Sequence, residues 1–223
     1  NTNSILSATG SGTTAPYDYN WSNGLGLGQS HTVSPSSTTT YYVTVTDATG
    51  CSAEDNITVT TFDEPSVIAT AAPNPICSGE TALLSATASG GSSPYSYDWP
   101  SIGAGQTQSV VPIISSTYTV TISDANGCTA EDDVFLSVND LPTTNLTANP
   151  NPLCEGESSN LNLTVSNGTS PYSFAWNQGL GNMQNPNVTP LIDTYYEVIV
   201  TDAAGCTVSD NVTVTVNDQP TVI

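Results

Sequence analysis

Five cysteines are the most reactive side chains in this sequence, and they recur with a period. Cys51, Cys128 and Cys206 lie 77 and 78 residues apart, and Cys77 and Cys154 lie 77 residues apart. Thiols at regularly repeated positions are typical of disulfide frameworks in oxidising compartments. We therefore expect disulfides, with the odd cysteine paired outside this sequence.

Carboxylates form a second recurring set. In each copy of one turn an aspartate stands three residues before a glycine, and acidic or Asn-Asp residues precede a proline at each joint between copies. Oxygen ligands from a turn and a neighbouring linker could together hold Ca²⁺ and stiffen the joint. The candidate calcium ligands are Asp63, Glu64, Asp124, Asp140 and Asp202.

A plainer interpretation of these carboxylates competes with calcium binding. Aspartate ahead of glycine is a common turn former, because its side chain accepts hydrogen bonds from nearby backbone. The sequence also contains no compact Asp-x-Asp-x-Asp loop of the kind that wraps calcium. We favour the turn interpretation and keep Ca²⁺ as the only cofactor under consideration.

No group of residues forms a convincing catalytic site. Glu54-Asp55 and Glu131-Asp132-Asp133 resemble the carboxylate pairs that act on glycosides, but they recur at one strand position in successive copies, which favours solvated faces and edge protection. His31 is the only histidine and has no counterpart in the other copies, so we interpret it as a surface residue. We expect no enzymatic activity.

The strand and turn that carry these residues occur three times. Residues 118–128 read YTVTISDANGC, in which apolar and hydroxyl side chains alternate before a turn and a cysteine. This alternation predicts a half-buried β-strand, and Asn-Gly favours a tight turn. Because residues 41–51 and 196–206 repeat the segment, we predict three copies of one domain.

The tryptophans at 21, 99 and 176 share the same period, and the alignment of the copies gives the predicted domain borders. Repeat 1 is expected to lack its first strand and its first cysteine, because its alignment starts at the second strand. The predicted ranges are 1–64 for repeat 1, 65–141 for repeat 2, 142–218 for repeat 3 and 219–223 for the opening of a further repeat.

The pattern predicts an all-β fold of tandem Ig-like β-sandwich domains. Each repeat contains about seven short stretches of strand-like alternation broken by Gly and Pro turns, and no stretch has a helical period. Each sandwich should bury its tryptophan between two sheets. The linkers are very short and end in Pro65, Pro142 and Pro220, so we expect the domains to stack end to end as a rod.

The predicted Ig-like topology limits which cysteines can lie close enough to form a disulfide. In an Ig-like sandwich the turn after the first strand, where Cys77 lies, and the turn before the last strand, where Cys128 lies, are at opposite poles. A disulfide needs Cα atoms within about 7 Å, so stacking would bring Cys77 to Cys206 of the next repeat. Cys51, Cys128 and Cys154 would then have partners outside this sequence. Cys51–Cys77 and Cys128–Cys154 bridges would span two domain lengths and are rejected.

Charge excludes whole classes of function. The 223 residues include 20 Asp and Glu but no Lys or Arg, for a formal net charge of −20. Nothing in such a chain could neutralise phosphates, which excludes nucleic-acid binding. Anionic membrane surfaces would repel it, and no apolar run is long enough to span a bilayer.

Several motifs together resemble a known family. They are Cys-x-Gly at 77–79, GGSSPYSYDW at 90–99 and the segment at 118–128. The combination resembles the PKD-like and Ig-like tandem repeats of secreted surface proteins of Bacteroidota, in particular the SprB-type gliding-motility adhesins. The resemblance implies type IX secretion, display at the cell surface as a stalk or filament, and no catalysis. Its two cysteines per repeat imply Cys77–Cys128 and Cys154–Cys206, so the pairing stays open.

We therefore expect a structural spacer of an extracellular adhesin, whose partners are neighbouring repeats or copies of the same protein in a filament. The alternative is a carbohydrate-binding module that stacks loop tyrosines such as Tyr17 and Tyr95 on extracellular glycans. A further hypothesis is that another chain supplies the missing first strand of repeat 1 by strand addition.

Overall fold

Strands make up every regular element of the described chain except one 3₁₀ turn at Asn177–Gly179. The computed structural model describes residues 3–12 and 14–220. The short strands follow from frequent Gly and Pro, which interrupt each run of alternating apolar and polar side chains. The predicted all-β fold is confirmed.

The chain divides into two compact units. One takes in the chain as far as Ser66 together with Ala88–Tyr95 and Ser123–Ala130, and the other takes in Val67–Thr87, Ser96–Ile122 and the chain from Glu131 onward. The division into three repeats stays a prediction, and the repeat numbers used below are labels for the sequence ranges given above.

Repeat 1 contains one four-stranded and one two-stranded sheet, with the strand orders β3-β2-β5-β6 and β1-β4. Its buried core consists of Leu6, Trp21, Val33, Tyr41 and Val43. The strands are β1 (Ser4–Ser7), β2 (Asp18–Trp21), β3 (Gly26–Leu27), β4 (Ser30–Val33), β5 (Thr39–Thr46) and β6 (Ser52–Val59).

Repeat 2 adds a first strand and a pair of two-residue strands to this plan. The strands are β7 (Pro65–Ala72), β8 (Ile76–Cys77), β9 (Ala82–Gly90), β10 (Ser96–Trp99), β11 (Gly103–Ala104), β12 (Thr107–Val110), β13 (Ser116–Ser123), β14 (Thr129–Leu136) and β15 (Val138–Asn139). The sheet orders are β11-β10-β13-β14, β12-β9-β7 and β15-β8.

Repeat 3 follows the same order. The strands are β16 (Thr143–Asn149), β17 (Leu153–Cys154), β18 (Ser159–Ser166), β19 (Ser173–Trp176), β20 (Asn187–Val188), β21 (Thr194–Thr201), β22 (Thr207–Val214) and β23 (Val216–Asn217). The sheets are β16-β18-β20, β19-β21-β22 and β17-β23. The core packs Leu161, Leu163, Trp176, Val198 and Val200 together, and each such side chain contributes roughly 1.5–3 kcal/mol by leaving water.

Each tryptophan is buried and satisfies its one polar atom. The indole N–H groups of Trp21, Trp99 and Trp176 donate to the carbonyls of Gly28 at 3.0 Å, Gly105 at 3.0 Å and Met183 at 2.7 Å. A buried indole N–H without a partner would lower the stability of the fold. Each of these bonds also holds the loop that follows the tryptophan against the ring. The predicted burial of the tryptophans is confirmed.

One predicted turn is instead partly a strand. The sequence pattern places Cys77 in a turn after the first strand, but β8 pairs in parallel with β15, with Ile76 opposite Val138 and Cys77 opposite Asn139. Repeat 3 pairs β17 with β23 in the same way. Two residues are too few to show alternation, and the partner strand is far away in sequence, so no local pattern marks this pairing.

Candidate functional site

A disulfide joins Cys77 of repeat 2 to Cys206 of repeat 3, across a sequence separation of 129 residues. Both cysteines belong to the second unit, and their Cα atoms lie 5.6 Å apart. The inter-repeat pairing is therefore the one present. The intra-repeat pairs Cys77–Cys128 and Cys154–Cys206 are wrong, because Cys128 and Cys154 carry free thiols.

Backbone pairing of β8 places Cys77. Ile76 is buried and donates its N–H to Ser137 O at 3.0 Å, and Ser78 N–H donates to Asn139 O at 2.9 Å. The Cys77 N–H donates to the carboxylate of Glu80 at 3.0 Å. These bonds hold the backbone of Cys77 and of the residues on either side of it. The disulfide therefore extends from a short segment that is fixed by hydrogen bonds.

A carboxylate places Cys206. Oδ1 of Asp202 accepts the N–H groups of Ala204 at 2.9 Å and Cys206 at 2.8 Å, and Oδ2 accepts the N–H of Thr169 at 2.8 Å. The Asp202 N–H in turn donates to Cys206 O at 3.0 Å. Asp202 thus closes the turn that ends in Cys206, and it ties that turn to the loop before β19.

The equivalent aspartates do the same in the other repeats. Oδ1 of Asp124 accepts the N–H groups of Asn126 and Cys128, each at 2.9 Å, and its Oδ2 accepts the N–H of Ser92 at 2.9 Å. Oδ1 of Asp47 accepts the N–H of Cys51 at 2.9 Å. Each aspartate therefore positions the cysteine that follows it by four residues.

Hydrogen bonding lowers the pKa of two of these carboxyls. For Asp124 the largest cause is the N–H of Ser92, which stabilises the anion and outweighs burial. For Asp202 burial is the largest cause and raises the pKa, but the N–H groups of Thr169 and of its own turn outweigh it together. Both side chains are buried and accept N–H bonds as anions.

A glycine lets the loop approach each of these carboxylates. A Cβ at Gly91 would lie 2.7 Å from Asp124 Oδ2, and a Cβ at Gly168 would lie 2.9 Å from Asp202 Oδ2. Both glycines have positive φ, +56° and +64°. Asn167 has a φ of 56° beside Gly168, which asparagine tolerates better than most residues.

The candidate calcium ligands are not brought together as a metal site. Within the described residues, no group of three or more His, Cys, Asp or Glu could hold a metal ion. Both oxygens of Asp124 and of Asp202 accept backbone N–H groups, whereas Asp63, Glu64 and Asp140 are exposed. This geometry agrees with the interpretation of Asp124 and Asp202 as turn-forming residues. Calcium binding stays an untested prediction.

The strand carboxylates have structural partners. Glu131 accepts a hydrogen bond from Thr121 across the strand pair at 2.9 Å. Asp132 and its counterpart Asp210 accept the N–H groups of Ala69 and Leu146 in the first strands, at 2.8 and 2.9 Å. The sequence analysis did not predict that these aspartates accept an N–H from the first strand, although an aspartate stands at the same position in all three repeats.

His31 and the loop tyrosines are less exposed than the sequence suggested. His31 is half-buried rather than on the surface, with its ring edge-on to Trp21 at a centroid distance of 6.3 Å. Tyr17 and Tyr95 are half-buried, and the Tyr95 hydroxyl donates to Gly90 O. Tyr172 makes the equivalent bond to Asn167 O at 2.6 Å. Glycan stacking by Tyr17 and Tyr95 stays a prediction.

Comparison with solved structures supports the fold, which is that of tandem Ig-like β-sandwich domains. The N-terminal eight Ig domains of Down Syndrome Cell Adhesion Molecule match with a TM-score of 0.55 and 13% identity over 96% of this chain and 34% of that one. The chain thus spans about a third of that structure's length. At this identity the likeness establishes the fold alone.

Two further solved structures are similar over most of both chains. Drosophila OTK extracellular domains 3–5 match with a TM-score of 0.39 and 10% identity over 97% of this chain and 92% of that one. The three N-terminal domains of the bacteriophage RB49 highly immunogenic outer capsid protein match with a TM-score of 0.36 and 15% identity over 99% and 95%. No family model matches, and no curated protein matches.

The described chain offers no helix of the length and apolarity needed to cross a membrane.

Proposed function

We propose that this chain is a tension-bearing spacer within an extracellular surface filament, and that it performs no catalysis. The observation that carries the proposal is the bond between Cys77 and Cys206, which joins two consecutive repeats covalently. The finer assignment, a stalk segment of a SprB-type adhesin exported by type IX secretion, rests on the motif resemblance given above.

The position of this disulfide suits a chain under tension. Force applied on either side of the pair enters repeat 2 along β7, crosses from Cys77 to Cys206, and leaves repeat 3 along β22. The intervening residues are bypassed, because a covalent bond holds the ends of that segment 5.6 Å apart. Most of repeats 2 and 3 is therefore shielded from unfolding by pulling.

The chemistry of the chain suits an extracellular location. Disulfides persist in secreted proteins and at cell surfaces, whereas cytosolic thiols stay reduced. With no Lys or Arg the chain offers trypsin-like proteases no cleavage site, and its formal charge of −20 keeps neighbouring filaments apart. Its partners in this proposal are further repeats of the same type.

The absence of catalysis is proposed on the roles of the carboxylates. Asp124 and Asp202 are committed to backbone N–H groups, and Glu131 and Asp132 to a threonine and to a strand N–H. A general acid or base needs a carboxyl that can exchange protons with a substrate. These carboxyls serve as acceptors within the fold instead.

Single-molecule pulling tests the mechanical proposal. The oxidised chain should withhold the segment between the cysteines, whose sequence separation is 129, and reduction should release about 430–460 Å of additional contour length. The variant Cys206→Ser should behave like the reduced chain, and Cys51→Ser, which removes a free exposed thiol, should behave like the oxidised one. Equal contour lengths before and after reduction would refute the proposal.

A further inference from the structure

In repeat 3 the residue that follows the tryptophan caps part of the neighbouring strand. The carboxamide of Asn177 accepts the N–H of Glu197 at 3.0 Å and donates to Tyr195 O at 3.1 Å. Both residues lie in β21, just beyond the part of that strand that pairs with β19. One primary amide therefore supplies both the acceptor and the donor that this stretch of strand edge needs.

Repeat 1 makes the same bonds with two side chains. Oγ of Ser22 accepts the N–H of Tyr42 at 2.9 Å. Nδ2 of Asn23 donates to Thr40 O at 3.1 Å. Tyr42 and Thr40 occupy the positions in β5 that correspond to the two capped residues of β21. The cap is thus a shared feature of these two repeats, built from polar side chains directly after the tryptophan.

Repeat 2 lacks this cap. Pro100 and Ser101 stand directly after Trp99, and proline offers neither an N–H nor a polar side chain. In the part of the chain that the structure describes, neither residue hydrogen-bonds to β13. By the same register, the N–H of Thr119 and the carbonyl of Thr117 are without the amide partner that their counterparts have in repeat 3.

Thr117 and Thr119 line a cavity of about 360 Å³ in the second unit. This volume falls within the range of small-ligand pockets, roughly 300–1,000 Å³. We call this space the repeat 2 cavity. Both threonines are exposed, so the cavity opens to solvent beside the strand edge. None of its lining residues is charged; they are Trp99, Pro100, Ser101, Ile102 and residues 116–119.

The open strand groups determine which ligand chemistry suits the repeat 2 cavity. A carboxylate could accept the N–H of Thr119 but would set its lone pairs against the carbonyl of Thr117, and an ammonium group could only donate. Either ion would lose hydration against walls that carry no opposite charge. A primary carboxamide is neutral and does both, as Asn177 demonstrates in repeat 3.

We propose that repeat 2 binds a primary carboxamide, the group at the end of glutamine and asparagine side chains, supplied by a partner polypeptide. The amide oxygen of the incoming side chain accepts the N–H of Thr119, and its nitrogen donates to Thr117 O. The methylene groups of that side chain pack on Ile102, which is half-buried in the wall. The exposed strand edge leaves room for the backbone of the partner outside the cavity.

NMR titration of the whole 223-residue chain, labelled with ¹⁵N, tests this site. The probe is a capped tripeptide with glutamine between two glycines, and the matched controls carry glutamate or methionine at the centre. We expect a saturable shift of the Thr119 amide resonance and a Kd about tenfold lower for the glutamine peptide, because either control leaves a strand group unpaired. Equal affinity for all three peptides would indicate pairing with the peptide backbone and would overturn the proposal.

Two further outcomes of the titration also decide the matter. No saturable shift at Thr119 with the glutamine peptide would refute the site. Free glutamine that binds as tightly as the capped peptide would refute the assignment to a partner polypeptide, because the backbone of the partner would then add nothing.

A pair of variants at Pro100 separates the open strand groups from the rest of the cavity. Pro100→Asn places a carboxamide of the chain itself at the position of Asn177. It should abolish binding of the glutamine peptide and shift the Thr119 amide resonance before any peptide is added. Pro100→Ala removes the ring without adding an amide, so it should still bind. Binding retained by Pro100→Asn, or lost equally in both variants, would overturn the proposal.

Discussion

The backbone N–H of Cys206 donates a 2.8 Å hydrogen bond to Oδ1 of Asp202, the residue that opens the same turn. One cysteine of the disulfide that joins repeats 2 and 3 therefore lies in a turn that a buried carboxylate closes. Because Oδ2 of the same carboxylate binds the loop at Thr169, changes at Asp202 should affect both the turn and the joint.

Replacing Asp202 by asparagine should lower the stability of the chain. An amide offers one acceptor oxygen, so its NH₂ group would face a backbone N–H that now lacks an acceptor. We expect a lower urea midpoint for Asp202→Asn, and a smaller loss for Asp55→Asn, whose side chain is exposed. A midpoint for Asp202→Asn that equals that of the parent chain would contradict the structural role.

The disulfide itself should make a large contribution to stability. It links two residues at a sequence separation of 129, and cross-links of this kind typically contribute about 2–4 kcal/mol, in part by restricting the unfolded chain. Cys77→Ser should lower the free energy of unfolding by that amount in non-reducing urea titrations. Cys154→Ser removes a free thiol and should have little effect, and a reducing agent should destabilise the parent but not Cys77→Ser.

Acid should weaken the two aspartate turns. The pKa values of Asp124 and Asp202 are lowered in the folded chain, so between the folded pKa and the unfolded value of about 3.9 the unfolded state binds more protons. Their contribution to stability is therefore complete above the unfolded pKa and is lost as the pH falls through the folded pKa. Urea midpoints measured from pH 6 to pH 2 should fall more steeply for the parent than for Asp202→Asn, and parallel curves would contradict this.

Local pattern explains which parts of this structure could be predicted from the sequence. The alternation that ends in Asp202 and Cys206 is local, so strand β21 and its turn were predictable. The N–H that Thr169 donates to Asp202 comes from 33 residues earlier, and no local signal reveals it. The two-residue strand β8 and its partner β15 were missed for the same reason. The disulfide partner of Cys77 depended on how neighbouring repeats meet, which spacing alone left open.

Calcium should not stabilise the chain. Since Asp124 and Asp202 already direct both oxygens at backbone N–H groups, a cation would have to displace those bonds before it could bind them. We expect the melting temperature to be the same with millimolar Ca²⁺ and with EGTA. A rise with Ca²⁺ that Asp140→Asn abolishes would instead establish a site at the linker.

The close approach at Gly168 should be intolerant of a side chain. A Cβ there would lie 2.9 Å from Asp202 Oδ2 and 3.1 Å from the backbone nitrogen of Pro142, so Gly168→Ala must push the loop off the carboxylate in addition to straining a φ of +64°. Gly179 is a matched control, because its φ is +71° and nothing lies within 4 Å of its Cβ position. Both alanine variants share the cost of a left-handed backbone, about 1–2 kcal/mol, and we expect Gly168→Ala to lose roughly 1–3 kcal/mol more through overpacking. Equal losses in urea titrations of the two variants would show that the loop can move away from Asp202 without cost.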